Sequence, residues 1–175
     1  MRVIFLDIDG VLNQCDWQEG NGCPAIHPEC VKQLNKLLEA TRAKIVVISN
    51  WRHQLNRGDM TPEGFAFMLR THGVKYAKII GATGEQRTRE RHRGLMVTRW
   101  LRRHPEVTSF VVLDDLPEGR EPEWVEERIV HVDGARGLTA REVRKAIELL
   151  KTPVKRVDHR GRAGLRKRPE GSSSR

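Results

Sequence analysis

The chain has 175 residues, 38% of them hydrophobic and 31% charged, with a formal net charge of +9; this is single-domain length and a soluble, globular balance. No stretch reaches the roughly 18 apolar residues that cross a bilayer, and Met1 to Asp9 places two carboxylates where a signal peptide needs its apolar core, so neither membrane insertion nor secretion is expected. The charge is uneven: Lys151 to Arg175 holds nine Lys and Arg against Asp158 and Glu170, a net +7 that leaves +2 for the body.

In chain order, Arg2 to Leu6 (RVIFL) is a short apolar run of β-formers followed at once by Asp-Ile-Asp-Gly, the pattern of a buried strand ending in a turn. Pro28 to Ala40 carries Val31, Leu34, Leu37 and Leu38 at helical spacing and starts at a proline. Lys44 to Ile48 (KIVVI) is a second continuous apolar run, closed by Ser49 and Asn50. Strand, helix, strand is the signature of a parallel βαβ unit, and unbroken apolarity means both faces of the strands are covered. Pro62 to His72 reads as a helix stopped by Gly73, Ala77 to Ile80 as a short strand, and Arg89 to His104 as a helix ending before Pro105. Ser109 to Leu113 (SFVVL) is a third strongly apolar strand, closed by Asp114 and Asp115; Arg128 to Val132 resembles another. Thr139 to Leu150 is a helix with a capping box from Thr139 to Glu142.

These elements predict an α/β, Rossmann-like three-layer sandwich over residues 1–152, with a mostly parallel sheet and helices on both faces. The basic tail, 153–175, is expected to be disordered and suits two roles. It can attach to polyanions, since each Lys or Arg near a phosphate releases condensed counterions, or it can simply be a solvated terminus. Cys15, Cys23 and Cys30 cannot pair off completely, and their spacing lacks the close pairs of structural zinc even with His27 among them. Reduced thiols in a cytoplasmic protein fit them better.

In open parallel sheets ligands bind at the carboxyl ends of the strands, and here those ends form one chemical set: Asp7 and Asp9, then Ser49, then Asp114 and Asp115. Clustered carboxylates repel and stay ionised only beside a cation; oxygen-only donors select a hard one, and few carboxylates with room for water and phosphate describe magnesium. Asp7 and Asp9 lie two positions apart and lean to one side while the chain is extended, so one can attack a substrate while the other handles protons. Gly10 permits a sharp turn and close approach of the backbone to a phosphate. An Asp-x-Asp-Gly run also begins calcium loops, but those follow a helix and need acidic positions that Asn13 to Asp16 supply poorly.

Asp7-Ile-Asp-Gly-Val-Leu-Asn, Ser49-Asn-Trp-Arg after an apolar strand and Asp114-Asp115 after another resemble the haloacid dehalogenase (HAD) superfamily of phosphohydrolases, over about Arg2 to Leu150. The Ser-x-Trp-Arg variant, Arg91-His-Arg-Gly ahead of Trp100-Leu101, and Gly137-Leu-Thr resemble a narrower branch of small bacterial and phage proteins. That branch includes phosphatase domains associated with nucleic-acid end repair. The resemblance implies an aspartyl-phosphate route with Asp7 as nucleophile and magnesium ligand. Asp9 would be general acid and then base, its main-chain carbonyl a metal ligand. Ser49 would hold the phosphoryl group with help from Asn50, and Asp114, assisted by Asp115, would hold the metal. The superfamily also needs a cation against the phosphoryl charge. The commoner lysine is replaced here by a choice among Arg87, Arg89, Arg91 and Arg93, of which Arg91 and Arg93 fit the local motif best. Arg52 is a further candidate for phosphate, through its paired donors. Trp51 is expected to pack, and Trp17, in the loop from Gln14 to His27, either to pack or to stack on a base or sugar.

That loop and the segment from Arg52 to Thr61 are too short for a cap domain, which leaves the expected site open to a bulky ester such as a DNA or RNA end. The competing expectations are a small-metabolite phosphatase and a non-catalytic nucleic-acid-binding module. A monomer is the default.

Overall fold

A computed structural model describes residues 1–14, 25–84, 93–116 and 123–154. Five strands, β1 (Arg2–Leu6), β2 (Lys44–Val47), β3 (Ile79–Ala82), β4 (Ser109–Asp114) and β5 (Ile129–His131), form one sheet in the order β3-β2-β1-β4-β5. Every neighbouring pair is parallel. The described helices are α1 (Pro28–Thr41), α2 (Arg52–Arg57), α3 (Pro62–Thr71), α4 (Arg93–Arg103), α5 (Glu123–Glu126) and α6 (Ala140–Lys151).

Alternation along each strand divides the core in two. Ile4, Leu6, Ile45, Val47, Val111 and Leu113 point to the face covered by α1, α3 and α6. Val3, Phe5, Val46, Ile48, Phe110 and Val112 point to the other, against Val97 and Trp100 of α4 and Val125 of α5. The central strand is thus sealed on both sides, with Val3 to Leu6 at 0% exposure. Such burial is worth about 1.5–3 kcal/mol for each large apolar side chain, so β1, and the residue immediately after it, has little freedom to shift.

The bounds of β3 depart from the sequence pattern. The expected strand at Ala77 to Ile80 lies two residues later, at Ile79–Ala82, because Ile79, Gly81 and Ala82 are the residues that pair with β2, across an irregularity between Ile45 and Val46; Gly81 breaks the apolar run without breaking the ladder. The expected start of α4 at Arg89 lies outside the described residues. The short helices α2 and α5 have no apolar periodicity of their own and were not expected. The capping box is formed: Thr139 Oγ1 accepts from the Arg141 amide at 3.2 Å, and Glu142 reaches back to the Thr139 amide at 3.1 Å. Arg128 donates to the carbonyls of Leu149 (2.7 Å) and Thr152 (2.9 Å) at the end of α6, and the Val154 amide bonds Thr108, so residues 153–154 still adhere to the body. Among the described residues no helix is long and apolar enough to cross a membrane.

Candidate active site

The register of the sheet sets one row of side chains at its carboxyl edge. Leu6 pairs with Leu113 and with Val47, and Val47 pairs with Ala82. The next residues, Asp7, Asp114, Ile48 and Thr83, therefore come level. Hydrogen bonds carry the alignment past the strand ends: Asp7 N to Leu113 O at 3.0 Å, Ile48 N to Leu6 O at 3.0 Å, Thr83 N to Val47 O at 2.9 Å. This brings together the carboxylates that the sequence separates by more than a hundred positions. Oxygens of Asp7, Asp114 and Asp115 all lie within 4.8 Å of one another.

Asp7 is 2% exposed and Asp114 5%. Burial drives the Asp7 carboxyl up, the Arg93 guanidinium draws it back, and Asp114 adds to the rise, leaving it at about 7 instead of 3.8. The Ile8 amide donates to Asp7 Oδ1 at 2.8 Å, and the Leu116 amide to Asp114 Oδ1 at 3.0 Å. Arg93, first residue of α4, bridges the two: its Nη1 donates to Asp7 Oδ2 and, at 2.7 Å, to Asp114 Oδ1. These two carboxylates hold the Arg93 pKa above its ordinary value although burial alone would lower it. Of the two arginines that the motif left open, Arg93 is the one described, and it lies on the aspartates; Arg91 lies outside the described residues, as do Arg87, Arg89 and Trp17.

Asp115 owes its place to two glycines. Gly10 has φ +77°, and a side chain there would overlap the Asp115 carboxylate; a Cβ at Gly134 would lie 2.8 Å from Asp115 Oδ2. The close approach expected at Gly10 is thus made by a side chain of the site itself, and Gly134 is a partner that no motif signalled. Asp9 is half-buried and outside the trio: Asn13 Nδ2 donates to Asp9 Oδ1 at 3.1 Å while Asn13 Oδ1 accepts the Gly10 amide at 2.7 Å. Asn13, 3% exposed, therefore clamps the turn and orients Asp9, a role that only its place at the end of the Asp-x-Asp-Gly run hinted at.

Ser49 is wholly buried, its Oγ accepting from the Trp51 amide at 3.1 Å, and Asn50 is exposed. Arg52 Nη1 donates to the carbonyls of Ile48 (3.3 Å) and Ser49 (3.1 Å) and to Asn50 Oδ1 (3.3 Å), which makes Arg52 the brace of the turn that presents Ser49. Burial and then the charge of Arg93 lower its pKa, while Asp7 acts the other way, so the two guanidiniums share one corner of the site. Trp51 meets Phe65 edge-on at 6.2 Å. Thr83 is fully buried in the same row, its Oγ1 without a partner among the described residues. Of the three cysteines only Cys30 is described; it is free, buried, and close beneath Gly137.

An all-parallel sheet whose edge carries an aspartate trio closed by arginine is the arrangement that the sequence resemblance anticipates. Residues 3–143 match the family described as HAD domain in Swiss Army Knife RNA repair proteins. The chain belongs to that family. No match was found among the curated proteins or the solved structures. Membership suggests HAD-type hydrolase activity for this HAD domain, and HAD domains generally use a divalent metal. The residues fit one: the trio offers oxygen donors only, at mutual distances that a single hard cation can span. The burial that lifts Asp7 to about 7 is also the condition under which a bound cation lowers a carboxyl most.

Proposed function

We propose that this HAD domain is a magnesium-dependent phosphomonoesterase that removes terminal phosphates from polynucleotides through an aspartyl-phosphate on Asp7. The observation that carries the reading is the junction of Asp7, Asp114 and Asp115 within 4.8 Å, with Arg93 on the first two. When bound, the magnesium ion would neutralise these carboxylates and the phosphoryl oxygens they face, held by Asp7, Asp114, Asp115 and the main-chain carbonyl of Asp9.

An Asp7 oxygen attacks phosphorus, the bond to the ester oxygen breaks, and the departing oxygen takes its proton from the Asp9 carboxyl. Asp9, now a carboxylate oriented by Asn13, takes a proton from water as that water attacks the same phosphorus. The bond to Asp7 breaks, releasing phosphate and the free carboxylate. Arg93 offers its guanidinium to the charge that gathers on the equatorial oxygens. Ser49 and Asn50 supply hydrogen bonds to those oxygens, and Arg52 holds both in place. An RNA or DNA end as substrate is supported by the family's occurrence in RNA repair proteins, by the net +7 of residues 151–175, and by the shortness of the segments that flank the site, which leaves it open to a bulky ester.

Release of phosphate from 3′- and 5′-phosphorylated oligonucleotides, mononucleotides and an aryl phosphate, with magnesium and with chelator, tests the reading. Oligonucleotide ends should be preferred and Asp7→Asn should be inert. Turnover of small esters alone would replace the polynucleotide by a metabolite, and inertness toward every ester would leave a binding module.

A further inference from the structure

Helix α4 begins in the acidic site at Arg93 and runs away from it, and one flank of it borders a surface cavity of about 150 Å³. Met96, Arg99 and Arg103 line this cavity at positions i, i+3 and i+7, which share one side of a helix. Trp100 and His104 line it too, as two rings stacked at 3.6 Å and 21°. Across from them, at the end of β3, stands Gly84, where a Cβ would lie 3.5 Å from Met96 Sδ and 3.8 Å from Arg52 Nε. Gly84 therefore stands between the cavity and Arg52, and among the described residues no carboxylate lines the cavity itself, while Glu106 Oε1 meets His104 Nδ1 at 3.1 Å beside it.

We propose that this flank is a subsite for the nucleotides next to the terminal phosphate, with Arg99 and Arg103 contacting backbone phosphates and the half-buried His104 ring, backed by the buried Trp100, receiving a base. The inference rests on the polynucleotide reading above and adds where the strand lies. At about 1.5 Å of rise per residue, Arg99 and Arg103 stand about 9 and about 15 Å beyond Arg93 along the helix axis. A stacked strand advances about 3.4 Å per nucleotide, so the two side chains reach phosphates roughly two to three and four to five steps from the end, about two steps apart. Both arginines are exposed, where a guanidinium can take two phosphate oxygens at once. An aromatic ring beside cations is the chemistry of single-strand tracks, in which bases stack without sequence preference. A small phosphate ester would fill the aspartate site and leave this strip unused.

The test uses the full chain and the Arg99→Ala/Arg103→Ala double variant. With a phosphorylated single-stranded decamer, KM should rise on the order of tenfold, and the slope of log affinity against log salt, read by fluorescence anisotropy, should fall by about 0.7 for each lost contact. Turnover of the aryl phosphate should stay within about twofold of wild type, and an Arg99→Lys/Arg103→Lys variant should recover the salt slope, which a merely structural role would not. An unchanged decamer KM and salt slope would overturn the subsite while leaving the phosphatase reading intact. If the wild-type protein turned over neither substrate, the phosphatase reading would fall, and the anisotropy comparison alone would still decide whether the strip binds a strand.

Discussion

In metal-free buffer above neutral pH, Asp7→Asn is expected to make the protein more stable while removing its proposed activity. The Asp7 carboxyl sits at about 7 against 3.8 in the unfolded chain, chiefly because of burial. Between those values the folded protein holds a proton that the unfolded chain has lost, so stability falls as pH rises through the window and levels off above it. A shift of about three units at about 1.36 kcal/mol each sets the loss near 4 kcal/mol. Asparagine matches the protonated acid in shape and carries none of that loss. Its oxygen can still accept the Ile8 amide and Arg93 keeps Asp114 at 2.7 Å, but the amide nitrogen cannot accept from Arg93 as Asp7 Oδ2 does, which takes back part of the gain. Urea unfolding with chelator should show the variant ahead by up to about 4 kcal/mol at pH 8 and by under about 2 kcal/mol at pH 5. Magnesium should then raise the stability of the wild-type protein more than that of the variant. A variant less stable at pH 8, or an advantage that does not change with pH, would refute the reasoning.

Arg93→Ala leaves two buried carboxylates facing each other. It should cost about 3–5 kcal/mol in metal-free unfolding at pH 8 and less at pH 5, where Asp7 is protonated, and should lower kcat on the order of a thousandfold. Gly10→Ala meets both a φ of +77° and the Asp115 carboxylate; a loss of about 2–4 kcal/mol by denaturant titration and a weaker magnesium dependence of turnover are expected. Deleting residues 155–175 should flatten the salt dependence of oligonucleotide binding in anisotropy titrations and leave aryl phosphate turnover unchanged.

The parallel sheet was legible because three of its strands are unbroken apolar runs, RVIFL, KIVVI and SFVVL, which only a doubly covered sheet accommodates. The same runs pointed to the site, since each ends abruptly in groups that a core does not hold. What remained closed was lateral. That Arg93 meets the aspartates depends on the rotation of α4, which four arginines at every second position do not reveal. Gly134 and Thr83 carry no local motif; they matter only through register, one against Asp115 and the other level with Asp7. β3 was displaced by two residues because Gly81 looks like punctuation in a sequence and acts as a strand residue in the sheet. The helices α2 and α5 are six and four residues long, too short for a helical period to appear.

The acidic edge sets local stability against chemistry. Val3 to Leu6 leave no room for β1 to slide, so Asp7 is delivered beside Asp114 whether or not the two carboxylates gain from it. A single guanidinium relieves the conflict only in part, since Asp7 remains at about 7 with Arg93 already on it. A divalent ion would complete the neutralisation, and a phosphoryl group would then give Arg93 a further set of oxygens to hold. The groups that make the empty site costly are therefore the same ones that would make the filled site reactive. The apolar strands, whose burial far exceeds a cost of about 4 kcal/mol, are what allow the fold to keep them there.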